Sequence, residues 1–205
     1  MMRILTGLIA GVLLASCGAA QTDETTKPKD VPKVQAPDAG SQDYPVDFRR
    51  ASLIVHDIDE SLKFYRDILG FKVNYDARVT MSGKALPAGE PGAQARLVLI
   101  SSNDSWVGWI GLLQWIDPPL ERPEKRTRMG IGDALLVFNT EKVDEHCDAA
   151  AKLSSITMTE AAGNTTYPGR DGGPDIVVRT CYLFDADGYF VELNQVLDRE
   201  AYNAK

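Results

Sequence analysis

The stretch Arg50-Ala-Ser-Leu-Ile-Val-His-Asp-Ile-Asp-Glu-Ser-Leu-Lys-Phe-Tyr-Arg-Asp-Ile-Leu-Gly70 changes its period once, and that change decides the fold. Ala51, Leu53 and Val55 alternate with Arg50, Ser52 and Ile54, the two-residue period of a strand with one more apolar face. Asp57 and Asp59 then offer N-cap chemistry, since a carboxylate accepts from the free N–H groups of a first helical turn. Ile58, Leu62, Tyr65, Ile68 and Leu69 follow at helical spacing, and Gly70 supplies the stop. Strand passes to helix across one short turn.

Working outward, strand patterns occupy 71–79, 95–101 and 106–116, with a Gly/Pro-containing loop at 82–92. The order is β-α-β-β-β. A charged, proline-rich segment, Asp117-Pro-Pro-Leu-Glu-Arg-Pro-Glu-Lys-Arg-Thr-Arg128, then breaks the pattern. The same order restarts with a strand at 133–138, a helix at 143–153, and strands at 155–159, 175–184 and 189–195. Asp185-Ala-Asp-Gly188 makes a tight hairpin turn between the last two strands. The expected class is α+β, built as an internal repeat of two βαβββ modules.

The opening stretch and the closing Phe184-Asp-Ala-Asp-Gly-Tyr-Phe-Val-Glu-Leu-Asn194 resemble the two ends of the vicinal oxygen chelate superfamily (glyoxalase I, bleomycin-resistance proteins, extradiol dioxygenases). The resemblance covers 47–197, with modules at about 47–118 and 129–197. It implies a cupped eight-stranded sheet with helices outside, and one cavity shared by the modules. It also implies four metal-ligand places, one on the first and one on the last strand of each module.

Those places fall at Arg50, Gly111, Asp133 (after Gly130-Ile-Gly132) and Glu192; only Glu192 keeps the family's ligand type. A guanidinium has no lone pair to give and does not deprotonate. It also repels a cation, by about 4 kcal/mol per unit charge at about 4 Å and an effective dielectric of ~20. Two carboxylates are fewer than the three protein ligands of a usual catalytic zinc. The two histidines, His56 and His146, map to a turn and a helix, where surface positions are expected. No metal and no other cofactor is therefore expected, a divalent ion at a rearranged site being the alternative. Arg50 is expected to replace the ion, between Asp133 and Glu192.

Trp109 and Trp115 flank Gly111 on the same strand face, which suggests an aromatic wall. Arg50, Trp109, Trp115, Asp133 and Glu192 form the expected ligand-binding set. The 167–175 loop with Arg170 reads as a lid or a plain hairpin connection, and Arg179 faces either side of its strand. No nucleophile–base pattern, CxxC pair or phosphate loop is present.

Residues 1–16 pair an early Arg3 with a short apolar run and small residues, as a signal peptide does. Leu14-Ala-Ser-Cys17 resembles a bacterial lipobox, which implies cleavage before Cys17 and lipidation of its thiol. Gly18 points to outer-membrane sorting by analogy with enterobacteria, so the expected location is periplasmic and lipid-anchored. Residues 17–46 are polar and carry four prolines, the composition of a tether; 198–205 form a tail. The net charge of -7 argues against nucleic acid. After Cys17, Cys147 and Cys181 are left either to form a disulfide or to stay as buried thiols.

Three functions compete: a metal-independent cup that binds a small apolar or aromatic molecule, a metal-dependent lyase, isomerase or dioxygenase, and an envelope interaction protein. The cup closes within one chain or across a homodimer, and the sequence leaves both open.

Overall fold

The computed structural model describes residues 46–122, 124–169 and 172–198. Cys17, the leader, nearly all of the tether, and Arg170 lie outside the described residues. The first module runs β1 (Arg50–Ile54), α1 (Ile58–Leu62), β2 (Lys72–Thr80), β3 (Gln94–Ser101) and β4 (Trp109–Asp117). A π-helical segment, Lys63–Ile68, continues α1 to the Gly70 stop. The second module runs β5 (Leu135–Asn139), α2 (Val143–Ala150), β6 (Thr157–Tyr167), β7 (Ile176–Phe184) and β8 (Phe190–Val196).

Asp57 caps α1 as its position predicts, accepting from the N–H groups of Asp59 and Glu60. Strand β4 starts later than its apolar pattern, because Asp104 accepts from the N–H of Trp106 and Val107 and holds them in a turn. Strand β6 runs well beyond 159, with register shifts between Met158 and Glu160 and between Glu160 and Gly163. Those bulges break the alternation that would otherwise mark a long strand.

The strands hydrogen-bond as two four-stranded sheets of matching order, β1-β4-β3-β2 and β5-β8-β7-β6. In each, the first strand lies parallel to the last. One apolar core serves both modules: Leu53, Ile58, Phe64, Ile100 and Leu112 of the first pack in the same cluster as Leu183, Val191 and Leu193 of the second. Phe138 crosses the boundary, with its ring 5.5 Å from Phe71 and 6.3 Å from Tyr65.

The Asp185–Gly188 turn is the joint. The Tyr65 hydroxyl donates to Asp185 Oδ2 at 2.7 Å, and the backbone N–H groups of Asp187 and Tyr189 donate to Asp185 Oδ1. The Tyr189 hydroxyl bridges the N–H and carbonyl of Ile54, and the His56 N–H donates to Asp187 at 2.8 Å. Burial pushes the Asp185 carboxyl up to about 6, against the hydrogen bonds that favour its ionised form.

Cys147 on α2 and Cys181 on β7 are joined in a disulfide, with Cα atoms 6.5 Å apart. Arg179 points to the same helix, bonded to Asp144.

Candidate functional site

Strand register sorts each sheet into a helix-covered face and a second face. In the first module the second face carries Ser52, Gly111 and Leu99 in one row. The next rows are Ile54, Leu113 and Leu97, then Trp115, Ala95 and Val79. In the second module Val137, Glu192 and Tyr182 form one row, flanked by Leu135, Phe190 and Phe184 and by Asn139, Asn194 and Thr180. Gly111 and Glu192 therefore occupy equivalent places.

That register corrects one expected position. Arg50 pairs with Trp109, and its counterpart in the second module, pairing with Phe190, is Leu135. Asp133 lies two residues before β5, outside the sheet. Its carboxylate is taken by the Arg126 guanidinium and by the Gly130 N–H at 2.7 Å, which together hold it below the usual carboxylate range. The stem of Arg126 lies over Gly188, where a Cβ would stand 3.1 Å from it.

Arg50 is not the partner of Asp133 or Glu192. It is exposed at the start of β1, on the face parity assigns it. Glu192 is partly buried and accepts from Asn194 Nδ2 at 2.9 Å. Around it, Tyr182 stacks on Phe190 with centroids 6.0 Å apart. The Tyr167 hydroxyl pKa is pushed up by its hydrogen bond to Tyr182, by burial, and by the negative charge of Glu192. Leu135, Val137 and Tyr167 are each more than two-fifths exposed, so this face is open and largely apolar around Glu192, with the exposed Glu160 across Tyr182 in the same row.

The two tryptophans part company. Trp109 stacks on Arg49, whose guanidinium sits 4.3 Å from the Trp106 ring and 4.3 Å from the Trp109 ring. Trp115 is 2 % exposed, within a second apolar cluster with Ala93, Ala95 and Leu113, beneath the 82–92 loop. His56 is exposed, but His146 is half-buried with Nδ1 3.3 Å from Thr140 Oγ1, and burial lowers its pKa.

Where the modules meet, a cleft of about 260 Å³ is walled by Ile54, Met129, Ala134, Tyr189 and Phe190, with Arg126 and Asp133 at one side. Arg126, Tyr182 and Phe190 are the contributors that sequence reasoning missed. Of these, Phe190 alone had a signal, since it shares parity with Glu192.

The family model for the Glyoxalase/Bleomycin resistance protein/Dioxygenase superfamily matches residues 48–193. The chain belongs to this superfamily. Among curated proteins, none matches it. A glyoxalase family protein from Bacillus cereus superposes with a TM-score of 0.59 at 17% identity, covering 78% of this chain and 99% of that one. A trypanothione-dependent glyoxalase I from Leishmania major gives 0.45 at 18% identity, covering 73% and 86%. A glyoxalase/bleomycin resistance protein/dioxygenase from Alicyclobacillus acidocaldarius gives 0.41 at 17%, covering 78% and 98%. At these identities the likeness is one of fold.

The superfamily's usual divalent metal does not fit the residues present. The four equivalent strand positions hold Arg50, Gly111, Leu135 and Glu192, which is one carboxylate, a permanent cation and two side chains with no electron pair to give. A Cβ at Gly111 would stand 2.9 Å from Ser52 Oγ, so neighbouring side chains already fill that place. Among the described residues no three His, Cys, Asp or Glu side chains converge.

Proposed function

We propose that this protein is a metal-independent receptacle of the bacterial envelope that binds or sequesters a small apolar or aromatic molecule. The observation that carries the reading is the set Arg50, Gly111, Leu135 and Glu192 at positions that require electron-pair donors for metal catalysis. Around them, Val137, Tyr182, Phe190 and the cleft residues supply the apolar lining with few polar groups that small-molecule sites use. Glu192, partly buried beside Val137 and Tyr182, would orient a polar group of the ligand, while Glu160, across Tyr182 in the same row, is exposed at the β6 side. Arg50 at the start of β1 and the Arg126–Asp133 pair at the cleft would do the same at their own places.

Export and anchoring through Cys17 belong to the same proposal. The Leu14-Ala-Ser-Cys17 pattern supports them, and so does the buried Cys147–Cys181 disulfide, a bond that persists in oxidising compartments.

Titration with a panel of hydrophobic small molecules, followed by tryptophan emission, tests the reading. A saturable response that is the same before and after EDTA treatment is expected. A response abolished by EDTA and restored by zinc would replace the receptacle with a metal-dependent site. Anchoring is tested separately: Cys17→Ser should move the protein from the membrane fraction to the soluble one, and unchanged membrane retention refutes the anchor.

A further inference from the structure

The helix-free face of the first module is plugged by its own chain. Trp115, Leu113, Ala95 and Ala93 form an apolar cluster separate from the main core, with Ala88 of the 82–92 loop packed against it. Gly89 is the contact point: a Cβ there would stand 2.1 Å from Trp115 Nε1, and the residue has a φ of +66°. No residue but glycine allows this approach without strain.

Two observations set the plug apart from ordinary core. First, Trp115 Nε1 is buried without a hydrogen-bond acceptor, and leaving a buried donor unpaired is costly. Second, the loop is tied only to itself. Among the described residues its hydrogen bonds run within 81–94, as between Met81 and Ala93 and between Gly92 and Met81. Apolar contact alone holds its tip, and most of its residues are exposed, Leu86 by 42 %. Segments secured this weakly open locally at low cost.

We propose that the 82–92 loop occupies a ligand chamber, and that its opening presents the Trp115 indole N–H to an apolar molecule bearing one hydrogen-bond acceptor, a ketone or ester carbonyl. This rests on the receptacle reading and names its ligand class. Leu97, Leu113 and Ala95 would line the chamber, and the carbonyl would take the place of the Gly89 contact. The indole gains in this exchange the acceptor that the closed form denies it.

Indole N–H signals resolved by nitrogen-15 NMR test the proposal directly. Acetophenone and ethylbenzene have nearly the same shape, but only acetophenone has the acceptor. Acetophenone should shift the Trp115 signal and bind about tenfold more tightly than ethylbenzene. In the protein without ligand, the Trp115 indole hydrogen should exchange with deuterium faster than the Leu112 amide, because loop opening suffices. Gly89→Ala should accelerate that exchange further.

If the probes perturb the amides of Tyr182 and Glu192 but leave the Trp115 signal unmoved, the chamber is refuted and the receptacle stands. If no probe perturbs any amide, the receptacle reading fails. Trp115 exchange as slow as that of Leu112, unaltered by Gly89→Ala, makes the loop permanent core and overturns the proposal by itself. Should Gly89→Ala not fold, the comparison of Trp115 with Leu112 in the unaltered protein decides the matter.

Discussion

Asp185 does more for the fold than for any site. It is buried at the joint between the modules, satisfied by Tyr65 and two backbone N–H groups, and its carboxyl is pushed up to about 6. A carboxyl whose folded pKa is raised holds its proton more tightly in the folded chain. Its stabilising contribution is therefore complete below about 4 and lost as the pH rises through about 6, roughly 3 kcal/mol in all. The thermal midpoint should accordingly rise between pH 7 and pH 5. Asp185→Asn should flatten that rise, since the amide oxygen still accepts from Asp187 and Tyr189 and the Tyr65 hydroxyl can accept instead of donate. An unaltered slope in the variant would assign the pH dependence to other groups. At Arg50, exposure and the lack of an acidic partner among the described residues predict that Arg50→Met shifts the midpoint by less than about 2 °C across pH 5–8. A large loss would restore the central ion pair that the sequence suggested.

Elements show why some of this was legible and some was not. Strand β1, the Asp57 cap, α1 and the closing hairpin follow from local signals, and each stands where its residues predict. Parity also placed Arg50 on the right face of β1. It misled at β5 for a physical reason. A slip of one residue turns a strand over, but a slip of two preserves the face, so Asp133 and Leu135 satisfy the same alternation. Only the parallel pairing with β8 tells them apart. The partner of Asp133 was beyond reach for another reason, since Arg126 sits in a segment with no period to read. Trp115 had its face assigned correctly, but the loop that covers it is a tertiary fact. The disulfide is another, tying α2 to β7 across 34 residues. Closing a loop of that length constrains the unfolded chain by about 4 kcal/mol. Denaturant unfolding with and without reductant should show a loss of that order, and Cys147→Ala with Cys181→Ala should reproduce it. A reductant effect near zero would mean the thiols are unlinked in solution.

At the scale of the whole molecule, fold and chemistry separate. Two modules share one core and a joint at Asp185, and the family match covers most of the chain. Yet the places that relatives of this architecture devote to an ion hold a guanidinium, a glycine, a leucine and one glutamate. What the frame offers instead is apolar surface: a cleft at the module boundary, an open face around Glu192, and a covered one at Trp115. The account as a whole therefore turns on metal content. Elemental analysis of protein purified without chelator should find zinc, nickel, manganese and iron each far below one equivalent per chain. One tightly held equivalent, lost on Glu192→Gln, would contradict the account.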